Sequence, residues 1–274
     1  MKKLGINVEV GFPLERTELI EHIKKAGFDA VFMGCGPNHD LTDAFAKARE
    51  LGLDIPFLHA PFSKIEYIWE DHEFGDWALQ TQLDCVDICA ANAVPCVVCH
   101  IFKGFGKEEK PNEIGLARIQ KLLDYAWQKG VRVAFENTEG EVYLDAVLRR
   151  FWDHPATGFC IDSGHEVCYN YSHDLITKYG DKLIATHLDD NLGILGESIF
   201  WHDDMHLLPF DGVVDFEGVA KRIQKTPFDG VLMFELTVHS KPGHNENDKY
   251  FEMGLDAYLA EAYNRAVRFA KLFD

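Results

Sequence analysis

The sequence predicts an α/β chain closed into a (β/α)8 barrel, the TIM-barrel architecture, as a single domain over residues 1–274. Three observations point there. Eight short runs rich in β-branched and aromatic residues alternate with eight longer stretches whose apolar residues recur with helical spacing. Four successive runs are apolar along their length and end in an acid or an imidazole, at Glu136, Asp162, His187 and Glu235. The alternative, a doubly wound sheet, more often opens on a glycine-rich turn, whereas the first turn here is Glu9-Val10-Gly11-Phe12-Pro13.

The first expected strand, 4–10, feeds a helix over 17–26 that Gly27 should close. A strand at 30–34 and a helix at 41–51, closed by Gly52, follow. The third strand, 55–59, leads into a long connection, 60–76, before a helix over 77–93. Pro95 opens a fourth strand at 96–101, and a helix over 114–128 runs to a cap at Gly130. Strands at 132–137, 157–162 and 183–188 alternate with helices at 141–150 and 174–179. A second long connection, 188–214, precedes Asp215, placed to cap a helix over 216–224. The last unit is a strand at 230–236 and a helix at 255–272. Both long connections would lie over the C-terminal mouth of the barrel, where sites of this architecture are built.

Composition narrows the partners. A net charge of −18 disfavours nonspecific attraction to nucleic acid or an anionic membrane. No apolar run approaches the length of a membrane span, and Met1-Lys2-Lys3-Leu4-Gly5-Ile6 shows no signal-peptide core, so a cytoplasmic location is expected. The seven cysteines are read as reduced core thiols. Cys96-Val97-Val98-Cys99-His100 has the spacing of a haem-attachment or dithiol motif. It lies inside a strand-like run, which makes His100 another strand-end residue instead.

With a barrel assumed, the strand ends form a constellation. His59 ends the third strand and His100 the fourth, followed by Glu136, Asp162, His187 and Glu235. His165 lies three residues after Asp162, and Asp204 and His206 form an alternating pair in the seventh connection. Taken singly, a strand-end histidine reads as hydrogen-bonded and Glu136 as an acid at a helix N-terminus. His202 and Asp203 read as solvated loop residues, and Asp189 and Asp190 as turn formers. As a set, the strand-end acids and imidazoles imply a divalent cation, because burying that much charge without one is costly. The donors suit Mn or Zn first, with Mg or Co as alternatives.

Several phrases resemble the xylose isomerase-like TIM barrels, which include sugar (phosphate) isomerases and epimerases and the endonuclease-IV-type apurinic endonucleases. They are Phe135-Glu136-Asn137-Thr138, Cys160-Ile161-Asp162-Ser163-Gly164-His165, His187-Leu188-Asp189-Asp190-Asn191 and the stretch from Asp204 to Gly212. The isomerase branch implies one metal on Glu136, Asp162, His187 and Glu235. Glu136 and Glu235 would also move protons through a cis-enediolate, with His165 on a substrate oxygen. The endonuclease branch implies three zinc ions on a larger set that adds His59, His100, His165, Asp204 and His206.

Departures order the two branches. The turn after the fifth strand is Asn137-Thr138-Glu139-Gly140, and Leu207-Leu208-Pro209-Phe210-Asp211-Gly212 follows the Asp204/His206 pair. The connection 188–214 contains no Lys or Arg, and the third offers only Lys64 among Glu66, Glu70, Asp71, Glu73 and Asp76. The fourth offers Lys103, Lys107 and Lys110 beside Glu108 and Glu109. Such a rim suits a small ligand better than a duplex. The expectation is a metal-dependent isomerase or epimerase of a sugar, sugar phosphate or polyol-derived ketone, with substrate contacts from His165, His59, His100 and Lys103. A carbohydrate is the expected partner, with no nucleic acid and no membrane, and a homo-oligomer is compatible with the sequence. The alternatives are a multi-zinc phosphodiesterase of the endonuclease-IV type, a lyase or dehydratase on the same barrel, and a metal-holding binding barrel.

Overall fold

The computed structural model describes residues 2–273 apart from residue 38 and residues 107–109. Lys107, Glu108 and Glu109 of the fourth connection therefore lie outside the described residues. The chain runs β1 (Leu4–Asn7), α1 (Arg16–Ala26), β2 (Ala30–Phe32), α2 (Thr42–Glu50), β3 (Leu58–His59), α3 (Glu73–Ala91), β4 (Cys96–Cys99), α4 (Glu113–Gln128), β5 (Arg132–Glu136) and α5 (Glu141–Arg150). It continues as β6 (Thr157–Asp162), α6 (Ser163–Cys168), α7 (Leu175–Tyr179), β7 (Leu183–His187), α8 (Phe216–Ile223), β8 (Leu232–Phe234), α9 (Asp248–Glu252) and α10 (Leu255–Ala270).

All strand pairings are parallel, in the order β2-β1-β8 and β3-β4-β5-β6-β7. Parallel bridges at Gly34–His59 and Leu188–Phe234 join the two groups at both seams and close the barrel. This is the (β/α)8 architecture that the alternating runs imply. Except for β6, which matches its run, the strands are shorter than expected. In β3 only Leu58 and His59 remain of the expected 55–59, and Pro56 has no N–H to offer a ladder.

Side chains alternate between two cores. Ala30, Phe32, Phe57, Cys96, Val98, Ala134, Cys160, Ala185 and Met233 fill the barrel interior. Their neighbours Val97, Cys99, Val133, Phe135, Phe159 and Ile161 pack outward under the helices. Gly5 makes the interior possible near β8, because a Cβ there would stand 2.6 Å from the Met233 sulfur. The same alternation puts Cys96 and Cys99 on opposite faces of β4, so they do not face each other as a dithiol would. All seven cysteines are buried free thiols. No described helix is long and apolar enough to cross a membrane.

Caps fall where the sequence places them. Gly27 adopts φ 112° and returns its N–H to the Lys24 carbonyl at 3.1 Å, and the Asp215 carboxylate accepts the Gly218 N–H at 3.0 Å. Three short elements carry no periodicity to read: a 3-10 turn at Ile65–Trp69, α6 and α9. α3 starts earlier than its apolar pattern because a His72 ring nitrogen accepts the Phe74 N–H at 3.2 Å. α8 is fixed to the strand-six connection by Arg222, which grips the buried Glu166 carboxylate through two bonds of 2.8 and 2.7 Å. Arg222→Ala would leave that carboxylate buried without its counter-charge. The expected loss is about 3 kcal/mol of unfolding free energy. An unchanged urea midpoint would show that the pair contributes nothing.

Candidate metal centre

The ligand-type residues extend the inward rows of the strands. Two residues beyond Phe57, Val98, Ala134, Cys160, Ala185 and Met233 stand His59, His100, Glu136, Asp162, His187 and Glu235. Each strand thus changes from apolar filler to ligand at its C-terminal end, and the period of two aims all six at one space.

Glu136 lies at the centre and is 1% exposed. Its Oε2 is 3.2 Å from both His59 Nε2 and His100 Nε2. Its Oε1 is 3.2 Å from His187 Nδ1 and 3.4 Å from His165 Nδ1. His187 Nδ1 also stands 2.9 Å from Glu235 Oε2. A second focus surrounds Asp204 Oδ2, which is 3.0 Å from His206 Nε2 and 3.5 Å from His165 Nε2.

Backbone carbonyls set two of the imidazoles. His59 Nδ1 lies 2.8 Å from the Ala60 carbonyl and His165 Nδ1 lies 2.9 Å from the Asn137 carbonyl. A carbonyl only accepts, so both Nδ1 atoms carry the proton and both Nε2 atoms of the neutral rings offer a lone pair. Those lone pairs face the carboxylates of Glu136 and Asp204, an arrangement that repels unless a cation or a proton lies between. Asn137 also clamps the neighbouring ligand. Its Oδ1 accepts the Asp162 N–H at 2.7 Å, its Nδ2 donates to the Asp162 carbonyl at 2.9 Å, and Asp162 Oδ1 accepts the His165 N–H at 2.6 Å.

The site also holds buried polar atoms without hydrogen bonds: Glu136 Oε1, Asp162 Oδ2, both ring nitrogens of His187, both carboxylate oxygens of Asp189, Asp204 Oδ1 and His206 Nδ1. Some of these atoms are close to one another, as with His187 Nδ1 and Glu136 Oε1 at 3.2 Å, but the approach is off the hydrogen-bond direction. Such crowding of convergent donors is the arrangement that a divalent ion would satisfy. Five overlapping groups have ligand atoms within 4.8 Å of one another, including Glu136/Asp162/His187/Glu235, His59/His100/Glu136 and His165/Asp204/His206. The donors are oxygen and imidazole nitrogen, and they fit a divalent ion of the Mn or Zn type.

Charge in the cluster is strongly displaced. Burial pushes the Glu136 and Glu235 carboxyls up, but the surrounding imidazoles together outweigh it: His187 and His100 hold Glu136 well below the usual range, and His187 with His206 holds Glu235 at about 2. Burial pushes Asp189 up to about 6 despite His206, and burial with the Asp189 charge raises Asp162 well above the usual carboxylate value. Burial opposes protonation of His165 and His206, yet the carboxylates around them raise both well above the ordinary imidazole value.

All nine candidate ligands from the sequence are brought together. Two expectations for the seventh connection are corrected. Asp189 is no turn former: it joins Asp162 and His206 in a ligand group, with its Oδ2 2.5 Å from His206 Nδ1. The inward alternation from His187 to Asp189 was the signal for it. Asp203 is buried and not solvated, because its carboxylate accepts the Leu195 and Phe200 N–H groups at 3.4 and 2.9 Å. Half-buried His202 packs edge-on against Trp201. Asp190 does organise a turn, accepting from Asn191, Gly212 and Val214.

A cavity of about 280 Å³ opens above the ligands, lined by Phe62, Lys103, Phe105, Glu139, Tyr169, Trp201 and Lys241 as well as by the histidines and acids. Lys103 holds its ammonium 4.8 Å from the centre of the Phe62 ring. The third-connection acids Glu70, Asp71, Glu73 and Asp76 do not line it. Lys241, from the irregular stretch after β8, had no sequence signal. A second cavity of about 310 Å³ meets the first at His59, Phe62 and Glu235 and reaches Asn7, Glu9, Arg16 and His39.

A family model described as xylose isomerase-like TIM barrel matches residues 20–261. The uncharacterized protein y4fM of Sinorhizobium fredii is 28% identical over 211 residues, which cover 70% of this chain and 65% of that protein, just under two thirds of its length. Among solved structures, D-psicose 3-epimerase with D-tagatose from Clostridium cellulolyticum H10 superposes with a TM-score of 0.74 over all of both chains at 16% identity. The IolI protein with a bound zinc atom gives a TM-score of 0.78 at 16% identity, over 100% of this chain and 99% of its own.

Proposed function

Because this chain belongs to the xylose isomerase-like TIM barrel family, we propose that it is a metal-dependent isomerase or epimerase of a small carbohydrate ketone or aldose. The observation that carries the proposal is the meeting of Glu136, Asp162, His187 and Glu235 on one space, with buried atoms of Glu136, Asp162 and His187 left without hydrogen bonds. Relatives of this shape include the D-psicose 3-epimerase with D-tagatose and the zinc-binding IolI protein.

Glu136, Asp162, His187 and Glu235 would hold a divalent ion, and the chemistry it would supply there is Lewis-acid polarisation of the substrate. The chain's own groups do the rest. Glu136 Oε1 and Glu235 Oε2 both approach His187 Nδ1, and both residues line the cavity. Each is held as a carboxylate, the form needed to accept a proton from carbon. Glu235 is the more open of the two, with 24% of its side chain exposed against 0% for Glu136. It is the better placed to take a proton from substrate. His165 lines the cavity, with Nδ1 held by the Asn137 carbonyl and Nε2 turned toward Asp204. Phe62, Tyr169 and Trp201 offer apolar faces to the C–H surfaces of a sugar and exclude water. Lys103 at the rim suits a substrate hydroxyl or an anionic substituent. The Glu235→Gln variant is expected to stay folded and to lose roughly 10²–10⁴ of solvent-deuterium exchange into a responsive ketose. Wild-type exchange in that variant would remove Glu235 from the proton path.

The two further ligand sets, His59/His100/Glu136 and His165/Asp204/His206, favour a second reading, multi-metal phosphodiester hydrolysis. Against it, Lys103 and Lys241 are the only Lys or Arg among the described residues lining the 280 Å³ cavity, few for holding a duplex backbone.

A further inference from the structure

The His165/Asp204/His206 set has an ammonium beside it. Lys241 Nζ stands 3.6 Å from Asp204 Oδ2, the same oxygen that His206 and His165 approach at 3.0 and 3.5 Å. The lysine is not there by side-chain chance, because the segment that carries it is stitched to the segment that carries Asp204 and His206. Asn247, buried at 1% exposure, donates from Nδ2 to the Met205 carbonyl at 2.9 Å and to the Thr237 carbonyl at 2.8 Å. Its own N–H is accepted by Ser240 Oγ at 3.1 Å, one residue before Lys241, and Ser240 Oγ donates to Asp248 at 2.7 Å. The Thr237 N–H returns to the His206 carbonyl at 3.3 Å. Trp201 flanks the ammonium, with its ring centre 5.8 Å away. The Lys241 side chain is 21% exposed and lines the cavity.

A divalent ion on His165, Asp204 and His206 would share Asp204 Oδ2 with this fixed positive charge and would be repelled by it at short range. The other ligand sets of the metal centre have no lysine or arginine among their ion-pair partners in the described residues. We propose that Lys241 is the built-in counter-cation of Asp204, that it keeps the His165/Asp204/His206 group free of a divalent ion, and that it leaves these side chains to bind substrate oxygens. Lys241 is thus a positioning residue that sets how many ions the barrel holds. The inference rests on the metal-centre reading.

Zinc titration of the full chain followed by native mass spectrometry tests it without reference to activity. The wild-type protein should take up no more than two zinc ions, and Lys241→Gln one more than wild type. Lys241→Arg, which keeps the charge, should match wild type, and adding His206→Ala to Lys241→Gln should remove the extra ion. Three ions on the wild-type chain, or equal counts in wild type and Lys241→Gln, would overturn the role of Lys241 and leave the metal centre standing. No specific zinc on either protein would overturn both.

Discussion

Replacing Glu136 by Gln is expected to lower metal affinity by roughly a thousandfold and to abolish detectable proton exchange. The side chain serves two ligand sets at once, with Oε1 beside His187 and His165 and Oε2 beside His59 and His100. Glutamine keeps the shape but gives up the charge and turns one acceptor into a donor, which then points at an imidazole lone pair. No other residue belongs to both of those sets. Metal analysis of the purified variant gives the first readout and the unfolding midpoint the second. The variant should lose its metal and keep a cooperative transition, and wild-type metal content would contradict the central place given to Glu136.

Removing metal should have the next largest effect, and its size should depend on pH. His165, His187 and His206 titrate above their unfolded values in the metal-free chain, where burial, which lowers them, is outweighed by their anionic neighbours. Groups raised in this way contribute stability that is complete below the unfolded value, near 6.5, and is lost as pH climbs through the folded one. Asp162 and Asp189 are raised too, chiefly by burial, and they cost stability once pH passes the usual carboxylate range. Glu136, Asp204 and Glu235 are lowered, and their contribution is already complete above about pH 5. The metal-free protein should therefore lose stability steadily from pH 6 to pH 9. A divalent ion replaces the protons that the cluster would otherwise need, so the rise in Tm on adding zinc or manganese should grow over the same interval. Melting curves with and without a chelator, taken across that range, measure it. A metal-induced rise that is flat or falling with pH would mean that these imidazoles are not ligands.

Much of the site could be read from the chain because a barrel strand repeats every two residues. Once Glu136, Asp162, His187 and Glu235 were placed at strand ends, the alternation fixed which way they faced, and the same rule held for His59 and His100. Asp189 obeyed the rule as well, but its neighbour Asp190 does form a turn, and the pair was read together. Most strands stop short of their apolar runs because the runs continue past the last ladder bond into the site, whereas β3 starts late, after Pro56. Lys241 and Asp203 depend on how irregular segments fold back through Asn247 and through the N–H groups of Leu195 and Phe200, and no local pattern announces such contacts. α6 was missed because six residues containing Gly164 are too short to show a helical period. The acidic third connection was counted as part of the rim from its length alone, yet much of it is spent on Arg118, which takes the carbonyls of Ile68 and Glu70 and pairs with Asp76.

The most direct test of the central claim sets two substrates before the metal-loaded wild-type chain: a panel of ketoses in deuterated water and a duplex carrying an abasic site. An isomerase or epimerase built on Glu136 and Glu235 should place solvent deuterium on the carbon beside the carbonyl of at least one ketose, should stop when the metal is chelated, and should leave the duplex intact. Nicking of the abasic duplex with no exchange into any ketose would contradict the account and give the barrel to phosphodiester chemistry.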